Sequence, residues 1–313
     1  MQRKVIILTD GKAGHENQSK AFVRALGCSF DLVAVRFKGK LAKVASYVLD
    51  RLGVGSLGLL ESPESSDFPE FSGRGYSAVV GTGSGTFYAV KTLARRLGVK
   101  CGVVLTPSGY DLASFDCILS PSFDNPPTMP NIVEIPANLV ANDESFYDNG
   151  VAAFRERYTP GGKDAVAVIV GGPNKCSTMT PEWIRGELDR IFADNAGCEF
   201  WVTTSRRTPA DVEAVVDSFP FDYKLLYSKD HFNPIPAFVK LAGRLYVTAE
   251  STGMLSEAAT FGTAEVFALD NLNPGPHKFR RFVENLRSGG YVDGSRKIDL
   301  SAQFDAAKRL MGL

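Results

Sequence analysis

A repeated alternation of short apolar runs with longer amphipathic stretches is the feature that most constrains this chain. Runs such as KVIILTD, SAVVGTG and CGVVLTP are rich in Val, Ile and Leu and do not alternate with polar residues. Stretches with helical periodicity, such as ENQSKAFVRAL and TFYAVKTLARRLG, lie between them. Non-alternating strands separated by helices predict a parallel sheet that is covered on both faces.

The alternation restarts after Pro160, Gly161 and Gly162, which favour a hinge between domains. The later runs include AVAVIVGG, EFWVTTS and RLYVTAE, and the length of 313 residues suits two domains. We therefore predict an α/β fold with two Rossmann-like, doubly wound parallel-sheet domains that face each other across a cleft. The expected bounds are 1–158 for the first domain, 159–295 for the second and 296–313 for a C-terminal helix, with the option that this helix packs back on the first domain.

Charge and cysteine content exclude several classes of protein. The 35 basic and 35 acidic residues balance, which argues against bulk nucleic-acid binding. The 5 cysteines include no CxxC pair, so we interpret them as reduced thiols. No apolar run approaches the roughly 20 residues that span a bilayer, and the N-terminus lacks the apolar core of a signal peptide. We expect a cytoplasmic protein, with peripheral contact at the inner membrane face left open.

The first polar segment, TDGKAGHENQ, directly follows the first predicted strand. Gly11 and Gly14 allow close approach of the backbone to a ligand, and the following helix N-terminus favours an anion. His15 is suited to take a proton from an acceptor hydroxyl, with Asp10 or Glu16 orienting its ring. The alternative is a helix-capping loop with a solvated histidine.

The second segment, GTGSGT, contains Gly83 and Ser84. It departs from a dinucleotide fingerprint because Thr86 stands where the last glycine is needed. It also departs from a nucleophile elbow, since threonines flank Ser84 where that motif has glycines. We interpret it as a tight turn whose amides line the acceptor side of the cleft, with a purely structural turn as the alternative.

Two candidate anion sites lie at the carboxyl ends of neighbouring predicted strands in the second domain. The segment GGPNK offers backbone amides and an ammonium group, which suit a diphosphate, and TTSRRTP offers hydroxyls and adjacent guanidiniums ahead of a helix. The candidate residues are Gly171, Gly172, Lys175, Ser205, Arg206 and Arg207. A solvated basic turn is the alternative, but the placement of both loops at strand ends favours phosphate binding.

The segment TAESTGMLSEA is the most specific of the five. A strand ends, small polar residues turn the chain, and a helix begins, so the amides of Ser251, Thr252, Gly253 and Met254 are expected to face an anion. Glu257 lies about one helical turn beyond Gly253 and is therefore a candidate for binding ribose hydroxyls. The alternative is a capping box, in which Ser or Thr followed by Glu caps the helix.

Taken together, the segments LTDGKAGHENQ, VGGPNK, TTSRRTP, VTAESTGMLSEA and HKFRRF resemble the bacterial relatives of the plant mitochondrial-fission (elongated mitochondria) proteins. The resemblance covers both domains, and that family has been labelled both nucleoside-diphosphate-sugar epimerase and glycosyltransferase. The segment VTAESTGMLSEA is also similar to the nucleotide-binding segment of GT-B-type glycosyltransferases, which have two facing Rossmann-like domains.

The resemblance implies an inverting, metal-independent glycosyltransferase that uses a nucleotide-diphosphate sugar as donor and needs no cofactor. It implies that the second domain binds the donor, that Glu257 holds the ribose and that His15 serves as the base. The acceptor is left open between a lipid-linked and a saccharide compound. The chain departs from the family pattern at Cys176 and Ser177, where relatives commonly have Trp or His, and at Glu250, where they usually have Asp.

Two other functions are kept as alternatives. The first is a nucleotide-sugar epimerase on the same scaffold, as the older family label implies. The second is a non-catalytic, nucleotide-binding or membrane-associated scaffold that touches anionic lipid through a basic run. That run comprises His277, Lys278, Arg280, Arg281 and Arg287.

Overall fold

A computed structural model describes residues 3–62 and 75–313 of the chain. Contacts divide it into two compact units, Met1–Ala141 with Leu300–Leu313, and Asn142–Asp299. The strands are β1 Lys4–Thr9, β2 Ser29–Ala34, β3 Arg36–Phe37, β4 Leu60–Glu61, β5 Ala78–Thr82, β6 Lys100–Val104, β7 Cys117–Pro121, β8 Ile132–Ile135, β9 Ala165–Ile169, β10 Glu199–Thr203, β11 Tyr223–Leu225, β12 Arg244–Thr248 and β13 Glu265–Leu269. The helices are α1 Ala13–Ala25, α2 Lys40–Arg51, α3 Phe87–Leu97, α4 Glu144–Arg157, α5 Pro181–Asp194, α6 Ala210–Ser218, α7 Ile235–Leu241, α8 Thr252–Thr260, α9 Lys278–Ser288 and α10 Ser301–Met311.

The first unit is built on a six-stranded sheet in the order β2-β1-β5-β6-β7-β8, with every pairing parallel. Strand β1 shows why its apolar run does not alternate. Ile6 and Leu8 pack into the core on one face of the sheet, whereas Val5 and Ile7 pack into the core on the other. The chain leaves β1 for β2 on one side and reaches β5 on the other, so the carboxyl ends of β1 and β5 form the switch point at which ligands bind in such sheets.

The second unit has a five-stranded parallel sheet in the order β11-β10-β9-β12-β13. Its switch point lies between β9 and β12, because the chain proceeds from β9 through β10 to β11 and then returns to the other side of β9. Both sheets are therefore doubly wound, as the apolar runs predicted. The expectation that the two domains face each other across a cleft stays a prediction.

The contacts divide the chain at a different point from the sequence-based boundary. Helix α4 was assigned to the first domain, which was expected to end at residue 158, but it packs against α7 within the second unit. The segment interpreted as a hinge also lies inside the second unit, where the amide of Gly161 donates to Glu199 at 2.7 Å. Pro and Gly mark a turn there, and a local turn signal does not reveal which side of it contains the domain boundary.

Helix α10 packs against β6, β7 and β8 of the first unit. Its Ala307 and Met311 are buried in the same core as Val5 and Ile7. Gly102 in β6 makes room for this helix, since a Cβ at that position would lie 2.9 Å from the terminal methyl of Met311. The first unit is therefore assembled from two separate stretches of chain.

Candidate functional site

The loop after β1 holds a carboxylate–imidazole pair. Nδ1 of His15 lies 3.1 Å from each carboxylate oxygen of Asp10, whose side chain is only 9% exposed. Burial raises the pKa of Asp10, but the hydrogen bond from Lys12 and the nearby His15 outweigh it, so the pKa of this carboxyl lies below its usual value. An ionised Asp10 requires Nδ1 to carry the proton, which leaves Nε2 of a neutral imidazole as an acceptor. Nε2 has no partner among the residues that the structure describes.

Glycines of the loop after β5 make room for this pair. Gly83 has a left-handed φ of +85°, and a Cβ there would overlap the His15 ring. A Cβ at Gly85 would lie 2.7 Å from Cβ of Asp10. The small residues of GTGSGT thus let the two loops at the switch point touch. Ser84 lies at the edge of this turn, where its hydroxyl accepts a 3.0 Å hydrogen bond from Lys43 of α2.

The remaining candidates of the first loop have local roles. Glu16 does not orient His15, because its carboxylate accepts hydrogen bonds from Lys20 at 2.6 Å and from the Thr9 hydroxyl at 3.3 Å. Gly11 adopts a φ of +79° and donates its amide to the Thr9 hydroxyl. Gly14 lies in the first turn of α1, and a Cβ there would meet no atom within 4 Å.

In the second unit, the amides of the GGP segment are already occupied. Gly171 donates to the Thr248 hydroxyl at 2.9 Å, and Gly172 donates to Oε1 of Glu250 at 2.8 Å. The expectation that these amides are free for a diphosphate is therefore wrong for the structure described. A Cβ at Gly171 would overlap Glu250 and Ser251. The absence of a side chain at this position therefore allows the loops that follow β9 and β12 to touch.

Buried polar atoms without partners lie just beyond β12 and β13. Glu250 is 3% exposed, and its Oε1 accepts hydrogen bonds while its Oε2 has no partner in the described part of the chain. Asn271 is 6% exposed, and neither its Oδ1 nor its Nδ2 is hydrogen-bonded there. Buried polar groups are nearly always paired, so these atoms call for a partner that the chain itself does not supply.

The N-terminus of α8 has no side-chain cap. The hydroxyl of Ser251 donates to Glu250, and its amide donates to the carbonyl of Thr248. Ser251 therefore does not form the capping box. The amides of Thr252, Gly253 and Met254 have no acceptor among residues 3–62 and 75–313. Free amides at a helix N-terminus carry partial positive charge and attract anions.

Glu257 is held in place by α4. Oε1 of Glu257 accepts a 3.0 Å hydrogen bond from the hydroxyl of Tyr147, which is fully buried and stacks near Phe261 with ring centroids 4.5 Å apart. Burial raises the pKa of Glu257, although the hydrogen bonds from Tyr147 and Asn142 oppose the shift. A carboxylate fixed in this way is suited to accept hydrogen bonds from vicinal hydroxyls.

Exposed cations lie on the loops after β9 and β10. Lys175, Arg206 and Arg207 form no ion pair with any residue that the structure describes. The two loops touch, since a Cβ at Gly172 would overlap the backbone of Arg207. Ser205 shapes the second loop: its amide donates to the Thr208 hydroxyl at 2.8 Å, and its own hydroxyl accepts from the amide of Arg207.

The family model for mitochondrial fission ELM1 matches residues 13–308. The chain belongs to this family. No curated protein matches the sequence.

Solved structures resemble the ELM1-family chain over nearly its whole length. UDP-GlcNAc 2-epimerase from Neisseria meningitidis, bound to UDP-GlcNAc, is 10% identical with a TM-score of 0.51 and covers 100% of this chain and 99% of its own. The epimerase from Methanocaldococcus jannaschii is 11% identical with a TM-score of 0.51, at 100% and 93% coverage. MurG from Acinetobacter baumannii is 14% identical with a TM-score of 0.47, at 99% and 91%. At such identities the likeness shows the fold alone, which is the pair of parallel α/β sheets of GT-B proteins.

Several residues of the basic run proposed for lipid contact form ion pairs and hydrogen bonds within the ELM1-family chain. Arg280 pairs with Asp270 at 3.2 Å and also donates to the carbonyl of Leu272. His277 caps α9 by accepting the amide of Arg280 at its Nδ1. Arg280 therefore holds the loop after β13, whereas Arg287 pairs with Asp293 in the segment that follows α9.

Sequence reasoning missed Tyr147 and Asn271. Tyr147 lies in a helix that was assigned to the other domain, and nothing local links it to Glu257. Asn271 could have been identified, because it lies just beyond the carboxyl end of the apolar run AEVFAL. Within the described ranges, no group of three His, Cys, Asp or Glu side chains is arranged to hold a metal ion, and no helix has the length and apolar character needed to cross a bilayer.

Proposed function

We propose that this chain is a glycosyltransferase that takes its sugar from a nucleoside-diphosphate sugar. The observation that carries the proposal is the uncapped N-terminus of α8, which lies at the switch point of the second sheet and one turn before the anchored carboxylate of Glu257. A nucleoside diphosphate offers an anion and a ribose diol about one helical turn apart, which suits this pairing.

The diphosphate is the group that departs in the reaction. Negative charge grows on it as the bond to the sugar breaks, and the amides of Thr252, Gly253 and Met254 stabilise that charge without reorganising. Lys175, Arg206 and Arg207 supply further positive charge from the neighbouring loops. Gly171 and Gly172 contribute by shaping these loops, since their own amides are bound to Thr248 and Glu250.

The buried polar atoms without partners are suited to bind the uncharged parts of the nucleotide-sugar. Oε2 of Glu250 is an acceptor and Asn271 offers both a donor and an acceptor, which match sugar hydroxyls or the edge of a nucleobase. A ligand that pairs these groups recovers the free energy lost by burying them unpaired, about 1–3 kcal/mol for each group.

The acceptor is activated by the first unit. Nε2 of His15 takes the proton of the acceptor hydroxyl while Asp10 holds the ring through Nδ1 and stabilises the imidazolium that forms. The new bond joins the acceptor oxygen to the anomeric carbon, the bond to the diphosphate breaks, and its electron pair leaves with the diphosphate. Gly11, Gly14, Gly83 and Ser84 are assigned to the acceptor side, and no metal ion takes part in the proposal.

Nucleotide-sugar epimerisation is the second candidate. Two solved structures with this fold and TM-scores of 0.51 carry that name. The buried, unpaired carboxylate oxygen of Glu250 also favours it, because an epimerase needs a base beside the sugar.

A thermal-shift panel of nucleoside diphosphates tests the binding site. We expect at least one of them to raise the melting temperature, and we expect Arg206→Ala and Glu257→Ala to reduce that shift. Arg190→Ala is the matched control, because Arg190 lies on the surface of α5 and pairs with Glu187 and Asp194 of the same helix. An undiminished shift in both site variants would place the nucleotide elsewhere.

Radiolabelled nucleotide-sugars incubated with lipid and oligosaccharide extracts test the reaction. Transfer that is lost in His15→Ala supports the transferase. Formation of a sugar isomer without acceptor, with deuterium taken up from heavy water, supports the epimerase instead. Binding of nucleotide with neither transfer, isomer nor donor hydrolysis would overturn both catalytic proposals.

A further inference from the structure

Helix α2 packs on the body of the first unit through Tyr47 and Leu49, which contact its core, and through two polar side chains. Ser46 shares a 2.9 Å hydrogen bond with the buried hydroxyl of Tyr110. Asp50 forms an ion pair with Lys91 of α3, and both side chains are buried. Its other carboxylate oxygen accepts the amide of Asp111 at 2.8 Å. The face of α2 that packs on the protein is therefore held by apolar contacts, a hydrogen bond and a buried ion pair.

A second set of apolar side chains on α2 points into solvent. Leu41 is 86% exposed, Val44 60%, Val48 56% and Leu52 69%. Their spacing of three, four and four residues puts them on one stripe of the helix. We call these four residues the α2 stripe. A surface helix normally buries such a stripe, and a contiguous exposed apolar patch marks an interaction site.

Cations border the α2 stripe. Lys38, Lys40 and Arg51 are exposed, and Asp50 is the one acidic residue between positions 38 and 54. Because Asp50 is buried in its ion pair, the exposed charges within residues 38–54 are all positive. Apolar side chains flanked by Lys and Arg are the composition of helices that lie in the interface of an anionic bilayer.

A second copy of the chain suits this surface less well. A symmetric dimer through the α2 stripe would bring the same patch of each copy together. Lys40 and Arg51 of one copy would then meet the equivalent cations of the other, with no exposed carboxylate on the stripe to offset them. Like charges at an interface oppose association, whereas anionic headgroups neutralise them.

We propose that the α2 stripe docks this protein on the surface of an anionic membrane. The helix is 12 residues long, or about 18 Å, and lies flat in the interface with its apolar side chains among the acyl chains. The contact is independent of the proposed reaction. Lys43 of α2 also binds Ser84 beside Gly83 and His15, so docking through α2 holds the His15 loop near the bilayer.

Vesicle co-sedimentation of the full chain tests the proposal. We expect binding to phosphatidylcholine vesicles that contain phosphatidylglycerol, weaker binding to phosphatidylcholine alone, and weaker binding at high salt. The variant Leu41→Ser/Val44→Ser/Val48→Ser should bind at least about tenfold more weakly, since it removes most of the apolar area. Lys40→Glu/Arg51→Glu should lose binding to the anionic vesicles while leaving the α2 stripe intact.

Two controls isolate the surface. Leu32→Ser removes an apolar side chain that is 42% exposed but lies on β2, and Lys278→Ser removes an exposed cation of α9. Both should bind vesicles as the wild type does. Circular dichroism and melting temperature verify that each variant is folded, which the exposure of the substituted side chains favours.

The proposal is overturned if the wild type does not bind anionic vesicles or if the Leu41→Ser/Val44→Ser/Val48→Ser variant binds them equally well. It is also overturned if light scattering without lipid finds a dimer that the serine variant abolishes, because a second copy would then cover the α2 stripe. None of these readouts depends on catalytic activity, so failure of the glycosyltransferase proposal leaves this one standing.

Discussion

Tyr147 donates a 3.0 Å hydrogen bond from its buried hydroxyl to Oε1 of Glu257 and so ties α4 to α8. In Tyr147→Phe the carboxylate loses this restraint while the ring packing stays. We expect nucleoside-diphosphate affinity, measured by calorimetry, to fall about tenfold, the usual value of a hydrogen bond to a charged group. Tyr223→Phe is the matched control, because the Tyr223 hydroxyl has no hydrogen-bond partner in the described part of the chain. Equal affinity in the two variants would mean that Glu257 does not bind the ribose.

Glu257 also makes a pH dependence predictable. Its pKa is raised by burial, and a carboxylate accepts ribose hydroxyls better when it is ionised. Nucleotide affinity should therefore fall as the pH is lowered through the raised pKa, at a pH above the ordinary value of 4.5. In Glu257→Gln the affinity should be lower at neutral pH and this acidic step should disappear. A wild-type affinity that stays flat down to the ordinary glutamate pKa would contradict the assignment.

Glu257 also predicts a pH dependence of the free energy of unfolding, with the opposite sign to that of nucleotide affinity. Because the folded pKa of Glu257 lies above its unfolded value, the folded state binds more protons between the two values. The free energy of unfolding should then decrease as the pH rises through this window. Glu257→Gln should remove that slope in urea titrations, and an unchanged slope would point to another group.

Gly83 gives a steric test of the Asp10–His15 pair. Gly83→Ala places a methyl against the His15 ring in addition to forcing alanine to a φ of +85°. Gly27→Ala is the control, since Gly27 has a φ of +76° with open space around it. Left-handed strain should lower the free energy of unfolding by roughly 1–3 kcal/mol in both variants, and the overlap should add to this loss and abolish transfer in Gly83→Ala alone.

The buried ion pair of α2 and α3 predicts a large stability effect. In Lys91→Met the Asp50 carboxylate stays buried without its cation, which should lower the free energy of unfolding by about 3–5 kcal/mol. The double variant Asp50→Asn/Lys91→Met should lose less than the sum of its single variants. Lys100→Met breaks the half-exposed pair with Asp116 and should cost at most about 1 kcal/mol. Similar losses for Lys91→Met and Lys100→Met in denaturant unfolding would refute the buried pair.

The sheets were predictable because apolar patterning is local, whereas the partners of the site residues are not. Gly171 was recognised as a loop glycine, but the Thr248 hydroxyl that takes its amide lies 77 residues away. Only the strand order brings them together, so the amides were expected to be free. Tyr147 was missed for the same reason. The face on which α2 packs was equally hard to predict, since Ser46 and Asp50 find partners in Tyr110, Lys91 and Asp111, which are distant in the sequence.

The return of α10 to the first sheet has a consequence for biosynthesis. Residues 142–299 are an insertion within the first unit, whose core is closed by Ala307 and Met311. During translation the inserted unit emerges whole before that closing helix leaves the ribosome, so it is free to fold first, against the usual N-terminal order. Until then the apolar surface of the first sheet that packs against Met311 stays exposed to solvent.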